Sequence, residues 1–106
     1  YERGCLSGMT LLMGAAHHGR ERVVELLLRH GAEIDQLDSL GCTALMGAAG
    51  NGHERVVDAL IRHGADINHQ GRDGLTALMC AAIYDNLASL LRLLRAGADT
   101  TLRPAN

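Results

Sequence analysis

The sequence repeats itself with a period of 33 residues. A shift of 33 positions superimposes glycines, threonines, leucines, methionines, alanine pairs and glycine-alanine pairs. The superimposed sets are Gly8, Gly41 and Gly74; Thr10, Thr43 and Thr76; Leu12, Leu45 and Leu78; Met13, Met46 and Met79; the alanine pairs at 15–16, 48–49 and 81–82; and the glycine-alanine pairs at 31–32, 64–65 and 97–98. Three such periods cover 99 of the 106 residues, so the chain is a tandem array. Repeat arrays act through extended surfaces, which favours a binding surface over a catalytic cleft.

The charged residues and the hydropathy pattern argue against several classes of function. The net charge of −2 removes the usual electrostatic reason for binding nucleic acid or an anionic membrane. All ten basic residues are arginine, so the sequence has no lysine for a P-loop or for Schiff-base chemistry. No apolar run approaches the roughly 20 residues of a membrane span, and the first residues do not resemble a signal peptide.

The cysteines predict a cellular compartment. Cys5, Cys42 and Cys80 are odd in number and lack CxxC spacing, which favours reduced thiols. Reduced thiols are typical of the cytoplasm and nucleus, so we expect an intracellular protein.

Each period begins with a threonine whose hydroxyl can cap a helix by accepting a hydrogen bond from a free backbone amide. In the first period this helix is predicted to run from Thr10 to about His17, and the left-handed backbone of Gly19 ends it. The third period has Asp85 at the position of Gly19. Aspartate tolerates left-handed backbone better than most residues, so we expect the same turn there.

A second helix is predicted in each period, over about 21–30, 54–63 and 87–96. Helical spacing in the first period predicts an apolar face of Val23, Val24, Leu27 and Leu28. On the exposed side, the spacing of four residues predicts ion pairs between Glu25 and Arg29 and between Asp58 and Arg62.

The second helix of the last period departs from this plan. Ser89 replaces Val23 and Val56, and Leu91 replaces Glu25 and Asp58. A terminal unit normally needs a polar outer face. The leucines of this helix therefore indicate contact with another repeat, a partner or a second copy of the chain.

These motifs resemble the ankyrin-repeat family over residues 8–106. They are Gly-x-Thr-x-Leu at the start of each period, the alanine pair, Gly-His-x-x-Val-Val in the second period, and Gly-Ala followed by an acidic residue at each close. Where the family usually has Thr-Pro-Leu-His, this chain has TLLM, TALM and TALM. The family's histidine bonds laterally between repeats, so we expect Met13, Met46 and Met79 to hold the stack more by thioether packing than by polar cross-links.

The resemblance implies an all-α fold, an ankyrin-repeat solenoid of three helix-turn-helix units with projecting β-turns. We expect residues 1–7 to be the remnant of a preceding turn or a cap. Unit 1 is then residues 8–40, unit 2 is 41–73, and unit 3 is 74–106.

The resemblance also implies a scaffold that binds a partner protein on its concave face, through the turn tips and the ends of the first helices. The positions implied in this chain are His17, His18, Leu40, Cys42, Asn51, Arg72, Asp73, Leu75, Ile83 and Tyr84, with Leu6, Ser7, Met9, Ser39 and Gly50 beside them. Several of these are more apolar than a bare surface requires. The resulting hypothesis is an extended peptide across units 2 and 3, anchored near Leu75 and Tyr84 and oriented by Arg72 and Asp73.

Other kinds of site have weaker signals. His17, His18 and Cys42 are potential zinc ligands, but adjacent helical histidines point about 100° apart and do not easily share one ion. Gly47, Gly50 and Gly52 lack GxGxxG spacing and a preceding strand, which argues against a phosphate site. No catalytic grouping stands out, so we expect no enzyme activity, no cofactor and no metal.

Two further functions remain open beside partner recognition. The last helix can join another repeat or an identical chain, which would be a role in assembly. Nucleotide or RNA binding on the concave face is the other; the acidic balance and the scarcity of aromatic residues, Tyr1 and Tyr84 only, argue against it.

Asn68 lies in a sequence that resembles the site at which ankyrin proteins are hydroxylated by a 2-oxoglutarate-dependent oxygenase. Leu60 lies eight residues before it, and Asp66 and Ile67 precede it directly. The resemblance implies Asn68 as a possible modification site.

Overall fold

Six helices form the protein in the computed structural model, which describes residues 9–104. They are α1 (Leu11–His17), α2 (Glu21–Arg29), α3 (Ala44–Gly50), α4 (Glu54–Arg62), α5 (Ala77–Ile83) and α6 (Leu87–Arg95). The helices α1, α3 and α5 pack side by side in one row, and α2, α4 and α6 pack in a second row beside it. No strand occurs within residues 9–104. This confirms the predicted all-α solenoid of helix pairs.

The first helix of each pair begins where the threonine pattern predicted. The hydroxyls of Thr10, Thr43 and Thr76 accept hydrogen bonds from the backbone amides three residues later, at 3.2, 3.4 and 3.2 Å. Each bond satisfies an amide that has no partner within its helix. Three local caps thus start three equivalent helices.

A residue with left-handed backbone separates the two helices of each pair. Its φ is 72° at Gly19, 76° at Gly52 and 59° at Asp85. The prediction that Asp85 adopts the glycine turn is therefore confirmed.

The core lies between neighbouring units, and this decides which apolar residues are buried. Val24 is buried, and Leu27 and Leu28 are partly buried against the core. The prediction for Val23 is wrong, because its side chain is 47% exposed, whereas Val56, one period later, is 1% exposed. Val56 lies on a helix that packs against α2 of unit 1; within residues 9–104, no such unit precedes Val23.

The acidic residues of the second helices form ion pairs between units. Glu25 is 3.9 Å from Arg29, as predicted, but its shorter contact, at 2.7 Å, is with Arg62 of unit 2. The predicted pair between Asp58 and Arg62 is wrong, since Asp58 instead accepts a hydrogen bond from Arg92 Nε at 2.6 Å. Helical spacing within a unit therefore did not predict these partners.

Polar cross-links join the units as well as the methionine side chains. His53 Nε2 donates to the carbonyl oxygen of His17 at 3.0 Å, and His69 Nε2 donates to that of Gly41 at 2.9 Å. Asn86 Nδ2 donates to the carbonyl oxygens of Ala49 and Gly50, both at 2.9 Å. Of the three methionines at this position, Met13 and Met46 are buried and Met79 is half-buried. The stack is nevertheless held by both kinds of contact.

No helix in the described part of the chain is long and apolar enough to cross a membrane.

Candidate binding groove

A groove of about 480 Å³ lies between the connecting turns and the row of first helices. Five sulfur-bearing side chains line it, namely Met9, Met13, Met46, Cys42 and Cys80. The other lining residues are His17, Asp38, Leu40, Thr43, Ala44, Gly47, Gly50, Asn51 and Tyr84. Methionine adapts its shape to an irregular ligand, so this lining suits the binding of an apolar side chain.

The floor of the groove includes two glycines of α3, and Gly47 leaves a hollow there. A Cβ atom added at Gly47 would meet no other atom within 4 Å. A Cβ atom at Gly50 would meet the Cβ of Cys80 at 3.7 Å and the ring of Tyr84 at 3.8 Å, which is ordinary contact. The hollow at Gly47 is thus open space that a ligand side chain can enter without displacing the protein.

One wall of the groove is formed by the turn of residues 38–42, and the equivalent turn of the next unit, residues 71–75, stacks beside it without lining the groove. Asp38 Oδ1 accepts hydrogen bonds from the amides of Leu40 and Cys42 at 2.8 and 2.9 Å, and Asp73 Oδ1 accepts one from Leu75 at 3.0 Å. Aspartate side chains that bond the backbone two residues later hold such turns.

The two turns are tied to each other as well. The backbone amide of Arg72 donates to the carbonyl oxygen of Leu40 at 3.1 Å, and its Nη1 donates to that of Ser39 at 3.1 Å. The guanidinium that the sequence suggested for orienting a peptide therefore already has a structural contact. These hydrogen bonds to the neighbouring turn stabilise the wall.

The opposite wall is formed by the ends of the first helices. Asn51 Nδ2 lies 2.8 Å from the carbonyl oxygen of Gly47 and 3.1 Å from His17 Nδ1. Because the amide nitrogen only donates, His17 Nδ1 is the acceptor in this pair. Tyr84 is exposed on the same side and lines the groove.

The two thiols of the groove are held in the neutral form. Burial is the largest cause that raises the pKa of Cys42 from 9.0 to about 11, followed by the charges of Asp38, Cys80 and Asp73. Burial, and then Asp73, also raise the pKa of Cys80. The thiolate is the reactive and metal-binding form, so these cysteines are poor nucleophiles at neutral pH. Within residues 9–104, no cluster of His, Cys, Asp and Glu is arranged to hold a metal ion.

The structure brings half of the implied contact residues together. His17, Leu40, Cys42, Asn51 and Tyr84 line the groove. The other five, which are absent from its lining, are His18, Arg72, Asp73, Leu75 and Ile83. His18 instead lies beside Leu11 and Val23 on unit 1. Leu6 and Ser7 lie outside the described residues.

Sequence reasoning missed the residues that form the floor. Met13 and Met46 occupy positions where the three units are identical, whereas the search for contact residues followed positions that vary. Cys80 differs from its equivalents Gly14 and Gly47 and was missed although its position varies. Gly47 was considered only as a phosphate-loop glycine. The replacement of the family's polar histidine by methionine was the one signal of an apolar groove floor.

The stacked helix pairs and the groove between helices and turns define the class, a helical repeat protein with an extended surface. Residues 12–103 match the family model described as Ankyrin repeats (3 copies). The chain therefore belongs to the ankyrin-repeat family. Members of this family are generally protein-interaction modules and are typically non-catalytic. No curated protein matches the chain significantly.

Proposed function

We propose that the protein is a non-catalytic, intracellular recognition module that binds an extended segment of a partner protein in the groove. The observation that supports this most directly is the hollow at Gly47, an open space of the groove floor bordered by methionine and cysteine side chains. A ligand side chain that enters it replaces water on apolar surface, which is favourable by roughly 25 cal/mol per Å².

The groove suits an apolar anchor with a basic neighbour. Leucine, methionine or phenylalanine matches the sulfur-lined floor. Asp38 lines the groove, and Asp73 is near enough to act on both thiols. The single arginine of the two turns, Arg72, is bound to Ser39. An arginine or lysine next to the anchor would therefore meet the carboxylate of Asp38 at the turn wall, with Asp73 in the adjoining turn.

Filling the hollow tests the proposal. Gly47→Leu places a side chain in the space, and leucine favours the helix over glycine by roughly 0.8 kcal/mol, so the fold is retained. Ala88→Leu adds the same side chain at an exposed position of α6 and is the matched control. Peptides selected from a random library on the wild-type protein should bind Gly47→Leu at least about tenfold more weakly, a loss of about 1.4 kcal/mol.

The same peptides should bind Ala88→Leu with wild-type affinity. Equal affinity for Gly47→Leu and the wild-type protein would refute the groove as the binding site. Simultaneous replacement of Leu40, Leu75 and Tyr84 by alanine should also weaken peptide binding without unfolding the protein, because Leu40 and Tyr84 line the groove; unchanged affinity would count against the proposal.

Asn68 is proposed as a modification site of the same module. Its side chain is exposed in the turn between units 2 and 3, and its Oδ1 accepts a hydrogen bond from the amide of Asp99 at 2.8 Å. Hydroxylation at Cβ leaves that carboxamide in place. Intact-mass spectrometry after incubation with an asparaginyl hydroxylase, iron(II), 2-oxoglutarate and dioxygen should show the gain of one oxygen atom from dioxygen, while 2-oxoglutarate takes the other and is converted to succinate and carbon dioxide. Absence of this mass gain would contradict the proposal.

A further inference from the structure

The last of the second helices, α6, differs in charge from the two before it. Each of α2 and α4 has two arginines and two acidic residues. α6 has the arginines Arg92 and Arg95 but no acidic residue, because leucines, Leu87 and Leu91, take the two acidic positions. The helix therefore has two positive charges in a chain whose net charge is −2.

These arginines border a shallow hollow of about 470 Å³ between α4 and α6, on the second row of helices. We call it the arginine hollow, and its lining residues are Asp58, Ile61, Arg62, Arg92, Arg95 and Ala96. Three guanidinium groups and one carboxylate give this lining a formal charge of +2. It shares no residue with the lining of the groove, so the two surfaces are separate.

Two of the three guanidinium groups are held in place by carboxylates of the preceding unit. Arg62 Nη2 donates to Glu25 Oε1 at 2.7 Å, and Arg92 Nε donates to Asp58 Oδ2 at 2.6 Å. A guanidinium has five N–H donors, so both arginines are positioned and keep donors for a ligand. Arg95 forms no ion pair with any residue in the described part of the chain.

A further unit stacked after α6 would leave the arginine hollow accessible. Arg29 and Arg62 have the register of Arg95 in units 1 and 2, and their side chains are 71% and 60% exposed although another unit packs after each of them. In both ion pairs between units the carboxylate belongs to the earlier unit. By the same pattern, an added unit would neither bury Arg95 nor give it a carboxylate.

We propose that the arginine hollow binds a phosphorylated side chain in a segment of a partner protein, as a second site separate from the groove. A phosphate monoester has a charge of about −1.5 to −2 at neutral pH, which matches the lining better than the single charge of a carboxylate. Guanidinium groups bind phosphate oxygens through paired N–H donors. Glu25 does not cancel this charge, because it lies outside the lining and Arg29 is 3.9 Å from it.

A protein segment fits this surface better than a nucleic acid does. Nucleic-acid affinity comes from many phosphate contacts along a basic surface. The arginine hollow is a single concavity that offers room for one phosphate group, in a chain that is acidic as a whole.

Fluorescence anisotropy with three labelled peptides tests the proposal. The peptides share one neutral sequence and have phosphoserine, glutamate or serine at the centre. The phosphoserine peptide should bind most tightly, the glutamate peptide more weakly and the serine peptide not at all, and added salt should weaken the binding. Arg95→Gln should bind the phosphoserine peptide at least about tenfold more weakly. This variant should fold as the wild type does, since the Arg95 side chain is exposed and has no ion pair to lose.

Two variants serve as controls. Arg55→Gln removes the same charge from an exposed position of α4 outside the arginine hollow, and it should bind the phosphoserine peptide as the wild type does. Gly47→Leu, which fills the groove, should also leave this binding unchanged. Conversely, Arg95→Gln should keep wild-type affinity for the peptides selected on the groove. The two sites can therefore fail independently.

Five results would overturn the proposal. The first is no saturable binding of the phosphoserine peptide at millimolar concentration. The second is wild-type affinity in Arg95→Gln, and the third is an equal loss in Arg55→Gln, which would show a general attraction to positive charge. The fourth is equal affinity for the glutamate peptide, which would remove the preference for phosphate. The fifth is tighter binding of a single-stranded oligonucleotide than of the phosphoserine peptide, which would identify a nucleic-acid surface.

Discussion

The second helices of units 2 and 3 have the same length and the same turn before them, yet they bury different parts of their surface. In α4, Val56, Val57, Ala59 and Leu60 are all buried. In α6, Ser89 and Leu93 are buried while three leucines are exposed. A serine is thus more buried than Leu87, Leu91 and Leu94 of its own helix.

The difference shows that position in the stack, and not the hydrophobicity of the residue, decides burial here. Ser89 faces unit 2, whereas the exposed leucines belong to the side of unit 3 on which no described unit packs. In a repeat array each unit contacts only its neighbours, so the two sides of a helix have separate environments.

The most severe test of this comparison is the removal of equivalent leucines from the middle and the first unit. Leu60→Ala removes a side chain that is fully buried between units and should destabilise the protein by about 3 kcal/mol. Leu27→Ala, one period earlier, removes a partly buried side chain and should cost about half as much. Urea denaturation with an unchanged m-value measures both. Equal losses would show that a neighbour on one side is enough for full burial energy.

The turn before the second helix gives the next largest effect. Gly52→Asp gives unit 2 the aspartate that unit 3 has at the equivalent position, Asp85. The added Cβ atom would lie 3.0 Å from the side chain of Asn86. Displacing Asn86 weakens its bonds to Ala49 and Gly50, so we expect a loss of about 2 kcal/mol. Asp85→Gly removes strain at φ 59° and should stabilise by about 1 kcal/mol. A loss in the second variant as large as in the first would contradict the comparison.

The smallest effect is expected at the buried serine. Within residues 9–104, Ser89 Oγ has no hydrogen-bond partner. Ser89→Val introduces the residue that unit 2 has at the equivalent position, Val56. It should raise the free energy of unfolding by about 1 kcal/mol. Ser89→Ala is the control, because it removes the hydroxyl without adding volume. If neither variant is more stable than the wild type in thermal unfolding, the hydroxyl is satisfied in solution.

The predictions that held rest on short-range interactions. The threonine caps and the turn at Asp85 depend on atoms within about four residues, so the local sequence is sufficient to predict them. The predictions for Val23 and for the partner of Asp58 were wrong because both depend on which unit lies alongside. A pattern within one helix has no information on that neighbour.

The groove was predictable in part for the same reason. Residues on turn tips and helix ends, such as Leu40 and Asn51, follow from the register of the repeat. The hollow at Gly47 does not, because the groove that surrounds it is lined by residues of three units. Whether the space beside a glycine stays open or is occupied by a neighbouring side chain depends on how the units pack.

The sequence by itself determined the period, the helix starts, the left-handed turns and the family, since each depends on residues close together in the chain. Only the tertiary structure decided which side of each helix is covered, which charges pair between units, and where the groove opens. These depend on contacts about one period apart, where the stacking of units brings residues together.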